Sequence, residues 1–355
     1  MKIDLLDIDN LRVIEKLSFS PNKRLNVVIG DNGAGKTTVL EAIYLAGRGR
    51  SFRHSESKPL IKQGADEAMV VASLLDESSG RKSTLGLARG PKSVRCRLDG
   101  EDVRRRSQLA QVLPVQWIGS QPQIFLEYGP DARRRFVDMA VFHVEPDYLM
   151  QMAEYQKILK QRNAALRSGG RHDVKIWDKS LAALGEAIDA ARRRSIATIF
   201  MGVEETLSAW NLGFSVTHRY QPGWNTETTL ASELQTRTRH DEERGFTSRG
   251  PHRAELEIRC AEGPAAKILS RGQQKMLVIA LHLAAIDTIK TAVPNGLPVL
   301  LVDDLAAELD LENRTRVINA ICTRGCQAFV TRLTDDRLPE PAGCSTWNIK
   351  RGQLV

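Results

Sequence analysis

The sequence predicts an α/β fold in which a strand–helix core is split by a long helical insertion. Three observations predict it. Short strand-like runs fill the first third of the 355 residues, apolar residues at helical spacing fill the middle, and strand–helix alternation returns in the last third. At roughly 150 residues per domain, the length suits two structural units or one large unit carrying an insertion.

Residues 2–8, 13–19 and 25–29 read as strands, and a Gly-rich turn then leads into a helix over 36–46. Further strands are expected at 69–75, 85–88 and 94–98, separated by Ser78-Ser79-Gly80 and Gly90-Pro91, and another at 112–118. Between 148 and 166, Met152, Tyr155, Leu159 and Leu166 recur at helical spacing, and Ser168-Gly169-Gly170 breaks that helix. A longer one follows. Trp177, Leu181, Leu184, Ile188 and Ala191 are four and three apart, and Ile196, Ile199, Val203, Leu207 and Trp210 continue the stripe. Some 34 helical residues span roughly 50 Å. Two long helices with a short connection read either as an antiparallel arm or as a helical subdomain packed on the core. In the last third, 254–260 alternates as a strand, 271–290 is a helix, and 297–302 is a continuous apolar run of the kind buried on both faces. A helix at 312–323 and a strand at 327–331 close the series. The expected division is 1–120 for the N-terminal part of the core, 121–245 for the helical lobe and 246–355 for the C-terminal part of the core.

Apolar residues make up 42% and charged residues 26%, which supports a sizeable core and excludes wholesale disorder or a collagen-like repeat. The longest apolar stretch, 277–286, is interrupted by His282 and falls short of the ~18–20 residues that span a bilayer. The opening MKIDLLDIDN has no continuous apolar run and is not the pattern of a signal peptide. Lys and Arg number 51 against 43 Asp and Glu, a formal net charge of +8. That surplus favours a polyanionic partner without requiring one. Cys96, Cys260, Cys322, Cys326 and Cys344 show no zinc-ligand spacing. Unpaired thiols in a chain of this size fit a reducing cytosol, so a cytoplasmic location is expected.

The sharpest motif is GDNGAGKT at 30–37: Gly30, Asp31, Asn32, Gly33, Ala34, Gly35, Lys36 and Thr37. It fits G-x-x-x-x-G-K-[ST] and lies between an expected strand and an expected helix. The glycines let backbone N–H groups turn inward onto phosphate oxygens, and the helix N-terminus adds partial positive charge. Lys36 is expected to reach the β- and γ-phosphates of ATP, and the Thr37 hydroxyl to ligate Mg²⁺. The second motif is PVLLVDD at 298–304, an apolar strand ending in Asp303, placed to hold the magnesium shell, and Asp304, placed to orient or deprotonate the attacking water. The third is LSRGQQ at 269–274, where Ser270 and Gly272 open a helix and form a second anion site. Taken alone, Ser270 is equally an ordinary helix cap.

The order of these three strings, with AELD at 307–310 just after the aspartates, resembles the ABC-type ATPases. In those, the LSGGQ string reaches across a dimer to the γ-phosphate held by the partner's P-loop. The helices inserted between P-loop and LSRGQQ resemble the SMC and Rad50 branch, and Asn10-Leu11-Arg12 is similar to its N-F-R string, with Leu in place of the aromatic residue. GRGRSFR (47–53), ARRRFVD (132–138), LKQRNAAL (159–166) and GPHRAEL (250–256) narrow the likeness to the RecF family of bacterial recombination-mediator ATPases.

The resemblance implies an ABC-type, SMC/Rad50-head-like P-loop core with an inserted helical arm. It implies ATP and Mg²⁺ as ligands, with Arg12 near the nucleotide and Ser270, Gly272 and Gln273 acting in trans. Asp310 falls in the D-loop. An ATP-dependent homodimer would bind single-stranded and gapped duplex DNA and work with RecO and RecR to help RecA load. It would serve DNA repair, replication restart and the SOS response, with weak ATPase activity and no membrane partner.

Asp304 stands where transporter subunits carry Glu, and Thr331 follows the strand where they carry a switch histidine, so the rival reading as a transport ATPase subunit is disfavoured. No N-K-x-D string exists for a GTPase, and the chain runs only 45 residues beyond Asp310, too few for a nuclease domain. The glutamine facing magnesium is Gln116, Gln121 or Gln123. Phosphate contacts are expected first at Arg133, Arg134 and Arg135. Arg48, Arg50 and Arg53, residues 104–106 and residues 192–194 are the other basic clusters. His252 is read as a structural histidine.

Overall fold

A computed structural model of the chain describes residues 1–53, 60–168, 171–293 and 297–355. Gly169 and Gly170 of the expected helix break lie outside the described residues. In chain order the strands are β1 (Lys2–Leu11), β2 (Ile14–Phe19), β3 (Leu25–Ile29), β4 (Ala68–Leu75), β5 (Lys82–Arg89), β6 (Val94–Leu98), β7 (Glu101–Asp102), β8 (Val115–Ile118), β9 (Thr217–Gln221), β10 (Glu255–Cys260), β11 (Gly263–Pro264), β12 (Val299–Val302), β13 (Ala328–Arg332), β14 (Cys344–Lys350) and β15 (Gln353–Leu354). The helices are α1 (Lys36–Arg48), α2 (Arg106–Val112), α3 (Gln123–Glu127), α4 (Pro130–Val144), α5 (Tyr148–Ser168), α6 (Arg171–Trp210), α7 (Leu230–Thr236), α8 (Thr238–Arg244), α9 (Ala265–Ile268), α10 (Arg271–Ala292) and α11 (Leu311–Arg324).

The chain forms two compact units: Met1–Pro122 with Val293–Val355, and Gln123–Ala292. Residues 246–292, expected with the closing part of the core, therefore fall in the second unit. The cause is local, since β10 pairs with β9 and α10 packs along α6.

The first unit holds two sheets. One is antiparallel, in the order β2-β1-β4-β5-β6-β7. The other runs β15-β14-β3-β13-β12-β8, with β14, β3, β13, β12 and β8 parallel. Every residue of β3 and β12 is buried, the pattern of strands covered on both faces. β4 alternates, burying Ala68, Val70, Ala72 and Leu74 and turning Met69 outward. The apolar face of α1, including Val39, Leu40, Ile43 and Ala46, shares one core with Ile3, Leu6, Ile8, Val70 and Leu85. Register pairs Val302 with Val330 and Val302 with Ile118, and Arg332 with Ile29. The carboxyl ends of β3, β13, β12 and β8 therefore share one edge, the customary place for a ligand in such a sheet.

In the second unit, α5 and α6 are antiparallel: Arg162 near the end of α5 meets Asp178 near the start of α6, and Tyr148 at the start of α5 meets Arg192 further along α6. The helical stripe begins earlier than expected, giving α6 40 residues and a length of about 60 Å. It packs against α5, α10, α4 and α7, so the two long helices belong to a helical subdomain and are not a bare arm. The expected strand at 112–118 starts late, because α2 occupies 106–112 and Pro114 separates the two elements.

The LKQRNAAL string owes its arginine to this unit's interior. Arg162 is fully buried, with Nε 2.8 Å from Asp178 Oδ1, and Nη1 2.9 Å from both Asp241 Oδ2 and Thr247 Oγ1. It ties α5 to α6, to α8 and to the segment that follows. Removing the cation leaves two buried carboxylates, so Arg162→Met should lower unfolding stability by about 3–5 kcal/mol. Urea denaturation checks this, and a loss below about 1 kcal/mol would contradict it.

Two histidines of this unit are held neutral. Burial depresses His252 and His282 to about 4. Their folded pKa values lie below the unfolded value near 6.5, so the unfolded chain binds more protons as pH falls. Stability is fully present above pH 6.5 and is lost progressively down to pH 4, by up to about 1.4 kcal/mol per pH unit for each group. Urea midpoints at pH 7, 5.5 and 4.5 should fall accordingly, and His252→Asn should flatten the slope.

Candidate nucleotide-binding site

The loop at 30–35 leaves β3 and enters α1. Gly35 caps the helix at φ 116°, a conformation closed to side-chain-bearing residues. A Cβ on Gly30 would lie 2.4 Å from the Ile349 carbonyl oxygen, so β14 passes too close for any other residue. Asp31, Asn32 and Gly33 are exposed, Ala34 and Gly35 are buried, and Gly352 N donates to Ala34 O at 2.8 Å. The first turn of α1 has no acidic residue, leaving its positive end uncompensated. Lys36 Nζ donates to the carbonyls of Gly30 at 2.7 Å and Asp31 at 2.9 Å, arching over its own loop. Burial lowers its pKa, while Asp304, Asp303, Asp31 and Asp336 oppose that shift.

Asp303 directly follows β12 and is buried. Thr37 Oγ1 lies 3.0 Å from Asp303 Oδ1 and 3.2 Å from Oδ2. These 266 residues of sequence separation are closed by the parallel sheet alone. Both groups are hard oxygen donors, the set that suits Mg²⁺. Thr331 completes the cluster: its hydroxyl donates to Asp303 Oδ1 at 2.8 Å and accepts the Asp304 N–H at 2.8 Å. Thr331 is fully buried, and its hydroxyl is committed to the two aspartates. Asp304 is half-buried at φ 51°, a strained backbone conformation held by that contact.

Arg12 also has positive φ, 51°. Its guanidinium forks onto the fully buried carboxylate of Glu41, with Nη2 2.8 Å from Oε1 and Nε bonded to Oε2. Ser51 also donates to Glu41. Glu41, Ser51 and the bridging role of Thr331 were missed in the sequence. An acid amid the apolar run of α1 was the available signal for a buried cationic partner.

Asp310 is the N-cap of α11, accepting from Asn313 N at 2.7 Å. Among the candidate glutamines, Gln116 is buried within β8, Gln121 is exposed just beyond the end of that strand, and Gln123 opens α3 in the second unit. Ser270 is exposed before α10 and forms a reciprocal capping box: Ser270 N donates to Gln273 Oε1 at 3.0 Å, and Gln273 N to Ser270 Oγ at 3.3 Å. Gly272 lies in that first turn, half-buried.

Arg133 is corrected as a phosphate contact. It is buried, pairs with Glu255 through Nε at 2.8 Å and Nη2 at 3.0 Å, and donates to the carbonyls of Phe125, Leu126 and Tyr128. Arg134 is half-buried, bonded to Ala254 O and to Asp131; only Arg135 of the three is exposed. His252 is bonded on both ring nitrogens, to Tyr155 at 2.7 Å and Thr247 O at 3.0 Å, which suits a structural histidine.

Residues 2–346 match the family described as RecF/RecN/SMC N terminal domain. The chain is 39% identical to the DNA replication and repair protein RecF of Pseudomonas aeruginosa (strain UCBPP-PA14), covering 100% of this chain and 97% of that one. It is 35% identical to the protein of the same name from Thioalkalivibrio sulfidiphilus (strain HL-EbGR7), covering 98% and 97%. Among solved structures, it is similar in fold to a recombination mediator protein RecF-ATP in the RecFOR pathway, with TM-score 0.87, 20% identity and coverage of 100% and 97%. An SmcHead bound to the C-winged helix domain of ScpA matches at TM-score 0.60 and 18% identity, covering 100% and 97%. The α/β fold is thus that of the SMC-type ATPase head. No helix among the described residues is long and apolar enough to cross a membrane.

Proposed function

The chain belongs to the RecF family of DNA replication and repair proteins, and from that membership we propose that it is an ATP-switched DNA-binding protein. ATP held at 30–37 joins two copies. Lys36 and Thr37 of one copy, with Arg12 nearby, and Ser270, Gly272 and Gln273 of the other enclose each nucleotide. Asp310 sits in the loop that follows the aspartates. Mg²⁺ would be held by Thr37 and Asp303, and when bound it supplies charge neutralisation at the β- and γ-phosphates. Gln121, exposed just beyond the end of β8, the strand paired with β12, is the proposed glutamine of the three to face it. Asp304 orients or deprotonates the attacking water, and hydrolysis is slow and resets the switch.

The dimer binds single-stranded and gapped duplex DNA in the cytoplasm, and with RecO and RecR it helps RecA load during repair, replication restart and the SOS response. One observation carries this reading: Thr37 and Asp303 meet at 3.0 Å beneath a lysine-bearing glycine loop, a phosphate site complete on one side. The exposed Ser270–Gln273 box supports a contribution in trans.

The test is DNA binding with and without ATP on single-stranded, duplex and gapped substrates. ATP should raise affinity, and Lys36→Ala should remove the increase. Log affinity should fall linearly with log salt, because cations of the protein displace counterions from phosphates. Affinity that stays flat from about 50 to 200 mM salt would show that phosphate contact is not the main term.

A further inference from the structure

The arginine clusters differ sharply in what the fold does with them. Arg192, Arg193 and Arg194 are paired with Asp138, Asp189 and Glu145. Arg133 is buried on Glu255, and Arg48 is half-buried and donates to the Val115 carbonyl. Arg104, Arg105 and Arg106 are all exposed, and among the described residues no carboxylate pairs with them or with Arg95.

These residues gather at one place, the β6–β7 edge of the antiparallel sheet in the first unit. The Val103 N–H donates to Cys96 O at 2.8 Å, which lays the chain before Arg104 directly along β6. Arg106 opens α2, and its aliphatic stem lies 3.2 Å from where a Gly49 side chain would begin. Residues 89–106 carry seven Lys or Arg and three Asp or Glu, a surplus of four in a chain whose formal net charge is +8. One of the three acids, Asp102, is bonded to Arg97 at 3.2 Å.

The face is also shaped for close approach. Arg95 and Arg97 point outward from β6, opposite Ala88 and Gly86 on β5. Nothing lies within 4 Å of where a Gly86 side chain would begin. The two arginines are two residues apart on one strand, about 6.8 Å, and on the same face.

We propose that this edge, through Arg95, Arg97, Arg104, Arg105 and Arg106, is the surface that grips the phosphodiester backbone of DNA, without reading sequence. The proposal rests on the DNA-binding reading above and assigns its surface. Arginines exposed along a strand edge contact phosphates and reach no base edge, so affinity depends on charge and salt.

The test compares the full-length chain with two triple variants of equal charge change. One is Arg95→Glu, Arg104→Glu, Arg105→Glu. The control is Lys157→Glu, Lys160→Glu, Lys179→Glu, three exposed cations of the second unit. Gapped-duplex binding is measured with ATP over a salt series, alongside nucleotide binding and thermal unfolding. The edge variant should lose about tenfold or more in affinity near physiological salt, and its log–log salt slope should shrink by about 2 to 3. Nucleotide binding and unfolding should match the parent, and the control should lose far less. Arg→Gln substitutions at the same three positions should shrink the slope equally with a smaller loss of affinity, which covers any misfolding of the Glu set. Equal losses in edge and control sets would overturn the surface assignment, as would an unchanged slope in the edge set. Poly-glutamate competing as well as DNA would overturn the phosphodiester assignment. A parent chain that binds no DNA would sink the functional reading itself, and the surface with it.

Discussion

Asp304→Asn should bind ATP as the parent does and hydrolyse it about 10²–10⁴-fold more slowly. The backbone is suited to the exchange. Asp304 sits at φ 51° with its N–H on Thr331 Oγ1, and Asn tolerates the left-handed region as Asp does. The amide keeps the size and loses the basic lone pair, so positioning survives and proton acceptance is lost. Asp303, which meets Thr37, is untouched, so the half of the site proposed to hold phosphate and metal stays intact. The variant should accumulate as an ATP-bound dimer. Single-turnover hydrolysis and gel filtration with ATP check both halves. Parent-rate hydrolysis by the variant would show that another group activates the water.

The parts of this site that were legible in the sequence are those built from contiguous residues. GDNGAGKT needs only its own backbone and the helix after it, and the apolar run before Asp303 announces a strand buried on both faces. Long helices such as α10 and the second half of α6 were legible because their apolar spacing repeats for five turns or more. α4 was hidden by three consecutive arginines, although Phe136, Val137, Ala140 and Val141 form its buried stripe. The split of the first third between two sheets was also unreadable, since β3 leaves its neighbours to pair with β13 and β14, some 300 residues later. The fate of each arginine cluster depends on such distant partners. Arg133 finds Glu255 and Arg192 finds Asp138, and a run of charges looks the same in sequence whether it is spent or free. Thr331 is the sharpest case. Its hydroxyl orders both aspartates, yet only the parallel pairing of β12 with β13 brings it there.

Ser270→Arg should leave each monomer able to bind ATP and abolish ATP-dependent dimerisation. The loop at 30–37 belongs to the first unit and Ser270 to the second, so the mutation leaves Gly30, Lys36 and Thr37 as they are. Ser270 caps α10 through Gln273, and losing such a cap costs about 1 kcal/mol, too little to unfold a packed 22-residue helix. What changes is the proposed docking face: a bulky cation replaces a small hydroxyl where the trans reading puts the partner's γ-phosphate. ATP-stimulated DNA binding should be lost with the dimer. Mixing separates the trans reading from a local one. Lys36→Ala and Ser270→Arg subunits together assemble one site from an intact glycine loop and an intact Ser270, beside one site that is doubly broken. Sedimentation of the mixture with ATP should therefore recover part of the dimer, while each variant alone stays monomeric. Ser270→Arg monomers that fail to bind ATP would place Ser270 in the local site or in the fold, and the trans assignment of Ser270, Gly272 and Gln273 would be wrong.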